Sequence, residues 1–397
     1  MKKTFFAAAL SATLLSTAAQ AEVFYFGALG DWPYDAVLGS AANVDKAINS
    51  INGSTQPLAF LYQTGDLHSG SQPCTGAGLT DTEKATLTST YGASFVTNPT
   101  ANTSVFGYFN RINVPVVYTI GDNEWADCHK KNQKYSGDPI REQAAVRAQF
   151  FQTPGVTLGA KPAKVVSQAR AYDKNHPGDA AVVENVYFTH KGVLFATLSV
   201  PGGGNTLTWT APFTDEAARQ REESTRMLAN LRWLGTIFDK AQSGSIKAVV
   251  ITQQADYWHL ADFASKALTD GPLITRAYAP LVHEIAARTN RLGKPVLLIN
   301  GDRHSHSVDT PLATQSDVFG KVYKTDSVPL FRRLGLGSGP YNPASWTRVK
   351  VDTSKSDNTI FDFEPVIFCR DKTQADSTYD SKSTSEAGLV TISVCSD

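Results

Sequence analysis

The sequence predicts an α/β fold, and three observations carry that expectation. Short apolar runs of strand length alternate with stretches of helical periodicity along most of the chain. Four of these runs break at a Gly-Asp pair: Gly30-Asp31 after Val23–Phe26, Gly65-Asp66 after Leu58–Tyr62, Gly121-Asp122 after Val116–Tyr118, and Gly301-Asp302 after Pro295–Ile299. The last continues as Arg303-His304-Ser305-His306, which sets an aspartate and two histidines on one short loop. A single strand-Gly-Asp turn is ordinary turn chemistry, because glycine takes positive φ and aspartate hydrogen-bonds its own backbone. Four in one chain, one with imidazoles, point instead to a shared metal ion, for which carboxylate and imidazole lone pairs are suited.

Taken in order, residues 1–21 read as a secretory signal. Lys2-Lys3 form a basic start, Phe5–Leu15 an apolar stretch and Ala19-Gln20-Ala21 a small-x-small cleavage site before Glu22. Residues 22–397 then make one domain. The first strand leads to Asp31, Ala41–Ile51 is a helix, and a second strand leads to Asp66. Residues 70–100, rich in Gly, Ser, Thr and Pro, read as a surface excursion. Ser104–Ile112 is a short helix, and Pro115 stands where the third strand begins, a position proline tolerates. Ile140–Phe151 carries apolar residues at helical spacing. Asn185–Thr189 and Val193–Val200 form a hairpin across His190-Lys191-Gly192. The second of these strands runs into Pro201-Gly202-Gly203-Gly204-Asn205, a loop that brings backbone close to something.

A long helix follows over Asp215–Ala241, with Thr214 as its N-cap and an apolar stripe of Met227, Leu231, Leu234 and Phe238. Ala248–Thr252 is a buried strand, Leu281–Leu292 a helix, and the strand into Asp302 comes next. A second excursion spans 306–345, with no clear strand before Gly335-Leu336-Gly337. From Thr347 onward the chain alternates as strands around a polar loop at 377–386.

Lys plus Arg and Asp plus Glu both number 37, so charge balance offers no patch for nucleic acid or an anionic membrane. No run after the signal is long and apolar enough to span a bilayer. The expected product is exported, to a periplasm or the medium. Four cysteines fit an oxidising compartment. Cys74 and Cys128, each shortly after a Gly-Asp turn, pair with one another, and Cys369 with Cys395 closes the C-terminal polar loop. No Cys-x-x-Cys spacing supports zinc thiolates. Gly202-Gly203-Gly204 lacks a following Lys-Ser/Thr, Pro340 stands where a dinucleotide fingerprint needs glycine, and no Gly-x-Ser-x-Gly elbow occurs.

The order and spacing of the Gly-Asp turns resemble the calcineurin-like metallophosphoesterases over nearly the whole chain past the signal. The set Gly121-Asp122-Asn123-Glu124-Trp125, with Cys74 and Cys128 after the second and third motifs, is similar to an exported bacterial branch of that superfamily. The resemblance implies a four-layer α-β-β-α sandwich with mixed sheets and ligands on loops at strand ends. It puts Asp31 on the first metal aspartate, Asp66 on the carboxylate bridging two metals, and His304 on the last histidine of Gly-His-x-His. This chain departs from the pattern elsewhere. Pro33 replaces the first-motif histidine, Asp122 the ligand asparagine and Asn123 the catalytic histidine. Gln253 or Gln254 stands for the lone histidine, and Asp302 for the first histidine of the last motif.

The implied centre holds one or two divalent ions. Asp31, Asp66 and His304 would suit Mn, Fe or Zn, and Asp66, Asp122, Asp302 and a glutamine carbonyl, taken as Gln254, would suit Mg, Mn or Ca. His68, His129 and His306 can each supply a missing nitrogen or serve behind the ligands. The implied reaction on a small phosphate mono- or diester is attack on phosphorus by a metal-bound hydroxide. Asparagine donates a hydrogen bond but no titrating proton, so His129, His68 and Arg303 are the replacement acids, His129 first. Asn123, Asn205 and His306 are the expected substrate contacts. The alternative is a degenerate relative that binds a metal or anion without hydrolysis. Carboxylates retained at Asp122 and Asp302 argue against it, since clustered aspartates repel unless a cation neutralises them.

Overall fold

The apolar runs form strands whose two faces are both buried, so consecutive side chains serve different cores. In the computed structural model, which describes residues 22–34, 41–206, 208–258, 271–302, 304, 306–337 and 344–369, they assemble into two mixed sheets. The first comprises β1 (Val23–Leu29), β2 (Leu58–Gln63), β3 (Val116–Tyr118), β11 (Ala344–Asp352) and β12 (Phe361–Cys369), in the order β12-β11-β1-β2-β3. The second comprises β4 (Val166–Ser167), β5 (Val186–His190), β6 (Val193–Thr197), β7 (Ala248–Gln253), β8 (Val296–Asn300), β9 (Ser307–Asp309) and β10 (Phe331–Gly335), ordered β4-β5-β6-β7-β8-β10-β9. β1, β2 and β3 run parallel, as do β6, β7, β8 and β10.

The sheets face each other across an aromatic core in which Phe195 meets Phe26 at 5.3 Å and Phe60 at 4.9 Å between ring centroids. The outer face of the first sheet is covered by helices Ala41–Asn52, Ala101–Phe109 and Pro139–Phe150 through Val44, Ile48, Phe109 and Phe150. The outer face of the second is covered by helices Glu216–Ala241 and Gly271–Leu292 through Trp233, Phe238, Leu281 and Ile285. The result is a four-layer α-β-β-α sandwich. In β7, Ala248 and Val250 face the inter-sheet core while Val249 and Ile251 face the helices, which explains a run with no polar alternation.

Several expectations are corrected. Asp215, not Thr214, caps the long helix, its side chain accepting from the Ala218 amide. The helix expected over Leu281–Leu292 begins at Gly271 and continues through Pro280. Helix Asp81–Tyr91, closed by a Thr80/Glu83 capping box, lies within the 70–100 excursion. The 306–345 excursion contributes β9 and β10 to the larger sheet. A strand, Phe331–Gly335, does precede Leu336-Gly337, although it carries two arginines. Arg333 is nonetheless buried, paired with Asp256 at 2.8 Å and Asp309 at 2.5 Å. The signal (1–21), Arg303 and the proposed Cys369–Cys395 closure lie outside the described residues. Among the described residues no helix is long and apolar enough to cross a membrane.

Candidate metal centre

The loops leaving the carboxyl ends of β1, β2, β3, β7 and β8 converge, as loops of parallel strands do in α/β proteins. Ligand atoms of Asp31, Asp66 and His304 lie within 4.8 Å of one another, and so do those of Asp66, Asp122 and Asp302. Asp66 belongs to both sets. His304 Nε2 is 2.8 Å from Asp31 Oδ2. Asp31, Asp66, Asp302 and His304 all adopt left-handed backbone (φ 47°, 56°, 75° and 58°), a strained arrangement of the kind that clusters at functional sites.

Glycines make room for this convergence. A Cβ on Gly121 would stand 2.3 Å from the Asp66 amide nitrogen and from Asp66 Oδ1. A Cβ on Gly202 would stand 2.8–2.9 Å from Asp302 Oδ1 and Oδ2 and Asp122 Oδ2. The close approach expected of the Pro201–Asn205 loop is therefore to this acidic cluster. Tyr278 clamps that loop by donating to Pro201 O and accepting from the Asn205 amide, both at 2.9 Å.

Backbone and amide donors orient the carboxylates. The Asp302 amide donates to Asp31 Oδ1 (3.3 Å), the Asp256 amide to Asp302 Oδ2 (3.1 Å) and the Asn123 amide to Asp66 Oδ1 (3.4 Å). Glu124 ties the second and third loops together. Its Oε1 accepts from Tyr118 Oη at 2.9 Å, from the Leu67 amide at 3.2 Å and from the Gly121 amide at 3.3 Å.

Asp66 titrates well above the usual carboxylate range, first because it is buried and then because Asp122, Asp31, Glu124 and Asp302 surround it. Burial, then Asp122, pushes Asp302 up as well. Burial raises Glu124 to about 7 despite its hydrogen bonds, and burial with Asp122 raises Asp127 to about 7. Among the described residues no lysine or arginine forms an ion pair with Asp66, Asp122 or Asp302. Buried, mutually repelling carboxylates in a pocket kept open by glycines fit one or two divalent cations. Asp31, Asp66 and His304 would hold one, and Asp66, Asp122 and Asp302 the other.

The remaining expected site residues are disposed differently. Gln254 Oε1 accepts from the Gly202 amide at 2.5 Å, and its Nε2 donates to Asp122 Oδ1 at 3.0 Å. A backbone N–H can only donate, so in this orientation Gln254 braces the two loops and turns its nitrogen, not its oxygen, toward Asp122. Gln253 turns away, donating to Ala255 O and accepting from Tyr257 Oη. Asn123 Oδ1 accepts from Gln133 Nε2 at 2.9 Å. His129 Nδ1 accepts from the Thr210 amide at 3.0 Å and lies beside the Trp209 ring. His68 Nδ1 is 3.3 Å from Ser69 O. Burial lowers His68, His129 and His306 to about 4, so all three are neutral near pH 7. Asn205 is engaged on both ends of its amide, Oδ1 by Arg226 and Nδ2 by Glu223 at 3.4 Å, which points it at the long helix and not at the acids. Asp256 was missed altogether, since nothing in its local sequence marks it.

Cys74 and Cys128 form a disulfide with a Cα–Cα separation of 5.7 Å, joining the loops after β2 and β3.

No family model matches the chain, and no curated protein matches it. The solved "Structure of PhoD" is similar to it with a TM-score of 0.43 and 11% identity, over 83% of this chain and 64% of that one. The chain thus spans less than two thirds of that protein's length.

Proposed function

We propose that this chain is an exported, metal-dependent hydrolase of small phosphate mono- or diesters, built on residues 22–397 once the signal is removed. The observation that carries the reading is Asp66, a buried carboxylate common to both ligand clusters. Divalent cations bound there would supply Lewis acidity that activates water and balances charge on the phosphoryl oxygens. The chain's own residues would do the rest. Asp31, Asp122, Asp302 and His304 would hold the ions, while Gln254 and the Asp256 amide hold the carboxylates and Gly202 leaves room for them. The His304 side suits Mn, Fe or Zn, and the all-oxygen side Mg, Mn or Ca. The Cys74–Cys128 disulfide supports an oxidising compartment, periplasmic or extracellular.

One observation favours a second reading, a non-catalytic metal or anion binder. Asn123 is held by Gln133, and burial lowers the three nearby histidines to about 4, which leaves them poor proton donors to a leaving group near pH 7. That loss costs on the order of 10²–10⁴ in rate where nothing substitutes. Metal content of the purified protein, measured with hydrolysis of mono- and bis-p-nitrophenyl phosphate, separates the two. Turnover that disappears in Asp66→Asn upholds the hydrolase. Bound metal without turnover on either ester upholds the binder.

A further inference from the structure

On that reading the site still needs a cation in place of the missing histidine, and one lies a residue beyond His129. His129 is turned into Thr210. The next side chain, Lys130, points the other way, its Nζ 2.6 Å from Asp127 Oδ2. A Cβ on Gly203 would stand 3.7 Å from Lys130 Nζ and 3.2 Å from Asp122 Oδ2, so ammonium and ligand carboxylate flank the same spot on the glycine loop.

The placement is rigid. The Asp127 amide donates to Asp122 O at 3.0 Å and the Lys130 amide to Asp127 O at 2.8 Å, stepping back from ligand to lysine. The disulfide at Cys128 anchors the same turn. The Lys130 side chain keeps 36% of its surface open, and only one of its three ammonium hydrogens is needed by Asp127. Gly202 and Gly203 clear the space between this ammonium and the carboxylates.

We infer that Lys130 is the cationic contact for the phosphoryl group at this site, its ammonium receiving a non-bridging oxygen of the anion over Gly203. A lysine does this as a point charge, without the geometric demands of a guanidinium fork.

The competing account is that Lys130 only neutralises Asp127. Titration calorimetry of inorganic phosphate into the metal-loaded full chain distinguishes them. Lys130→Met is expected to weaken phosphate about tenfold at unchanged metal content, the size of one charge-assisted hydrogen bond. Lys130→Arg should restore part of it. Asp127→Asn, which frees the lysine without removing it, should bind phosphate as well as the wild type or better. Equal phosphate affinity in wild type and Lys130→Met overturns the assignment, as does weakening in Asp127→Asn to match Lys130→Met, or loss of metal in Lys130→Met. Ester turnover by the wild type with any of these results leaves the hydrolase standing and removes only Lys130. A chain that takes up no metal removes both.

Discussion

Two buried charge clusters lie on either side of the Pro201–Asn205 loop, and they differ in how the charge is answered. On the side of helix Glu216–Ala241, Glu184 accepts from Arg147 Nη2 (2.7 Å), Arg147 Nε (3.0 Å) and Ser199 Oγ (2.7 Å). Arg226 spans both oxygens of Glu222 (2.8 and 3.0 Å) and reaches Ser199 O and Asn205. Glu184 and Glu222 each have their own guanidinium. On the side of the strand ends, Asp31, Asp66, Asp122 and Asp302 crowd together, and the last three have no lysine or arginine ion pair among the described residues. The protein pairs buried acids in one cluster and, among the described residues, leaves these three without such a pair in the other. Such a cluster is compatible with divalent cations from outside the chain.

The contrast breaks most sharply at Asp66. Asp66→Asn should lower ester turnover on the order of 10²–10³-fold or more and strip metal from both sides, read by kinetics and metal analysis. The same substitution should raise the melting temperature of chelator-treated protein, because it removes one repelling carboxylate. A lower melting temperature there would contradict the repulsion itself. In the paired cluster the sign reverses: Arg226→Met leaves Glu222 buried and unpaired, at about 3 kcal/mol of stability by denaturant unfolding.

Gly202→Ala tests the pocket without changing any charge. The added methyl would press on Asp122 and Asp302, so metal affinity should fall about tenfold or more while the unfolding midpoint of the metal-free protein stays near wild type.

The smallest effect is in pH. Asp66 and Asp302 are raised, as are Glu124 and Asp127 to about 7, so the metal-free protein loses stability as pH rises from about 4, the unfolded carboxyl value, through about 7. His68, His129 and His306, lowered to about 4, act oppositely and lose stability as pH falls from about 6.5 toward 4. Those histidines are present with or without metal. The gap between melting curves of metal-loaded and chelated protein should therefore widen from pH 5 to pH 8. A constant gap would mean the carboxylates do not sense the ion.

The carboxylates could be read from the chain because each is local: an apolar strand, a glycine that lets the next loop pass, and an aspartate, left-handed at Asp31, Asp66 and Asp302. Side-chain direction in the loops could not. His129 and Lys130 are adjacent, and a contact with Thr210, 81 residues away, decides which of them faces the acids. Which end of the Gln254 amide faces Asp122 is decided by the Gly202 amide, 52 residues back, which donates to its oxygen. β10 was hidden because Arg333 reads as surface until Asp256 and Asp309 meet it in the interior.

Alternating apolar runs and helical stripes were enough to specify the layers, since strand and helix periods are properties of consecutive residues. The Gly-Asp turns likewise named the acids, because turn chemistry spans two or three positions. Which acids share Asp66, which cations stay out of reach and which side chain faces an arriving anion depend on contacts between segments tens to hundreds of residues apart. Distance along the chain carries no record of those meetings; burial and hydrogen-bond satisfaction in the folded sandwich select them.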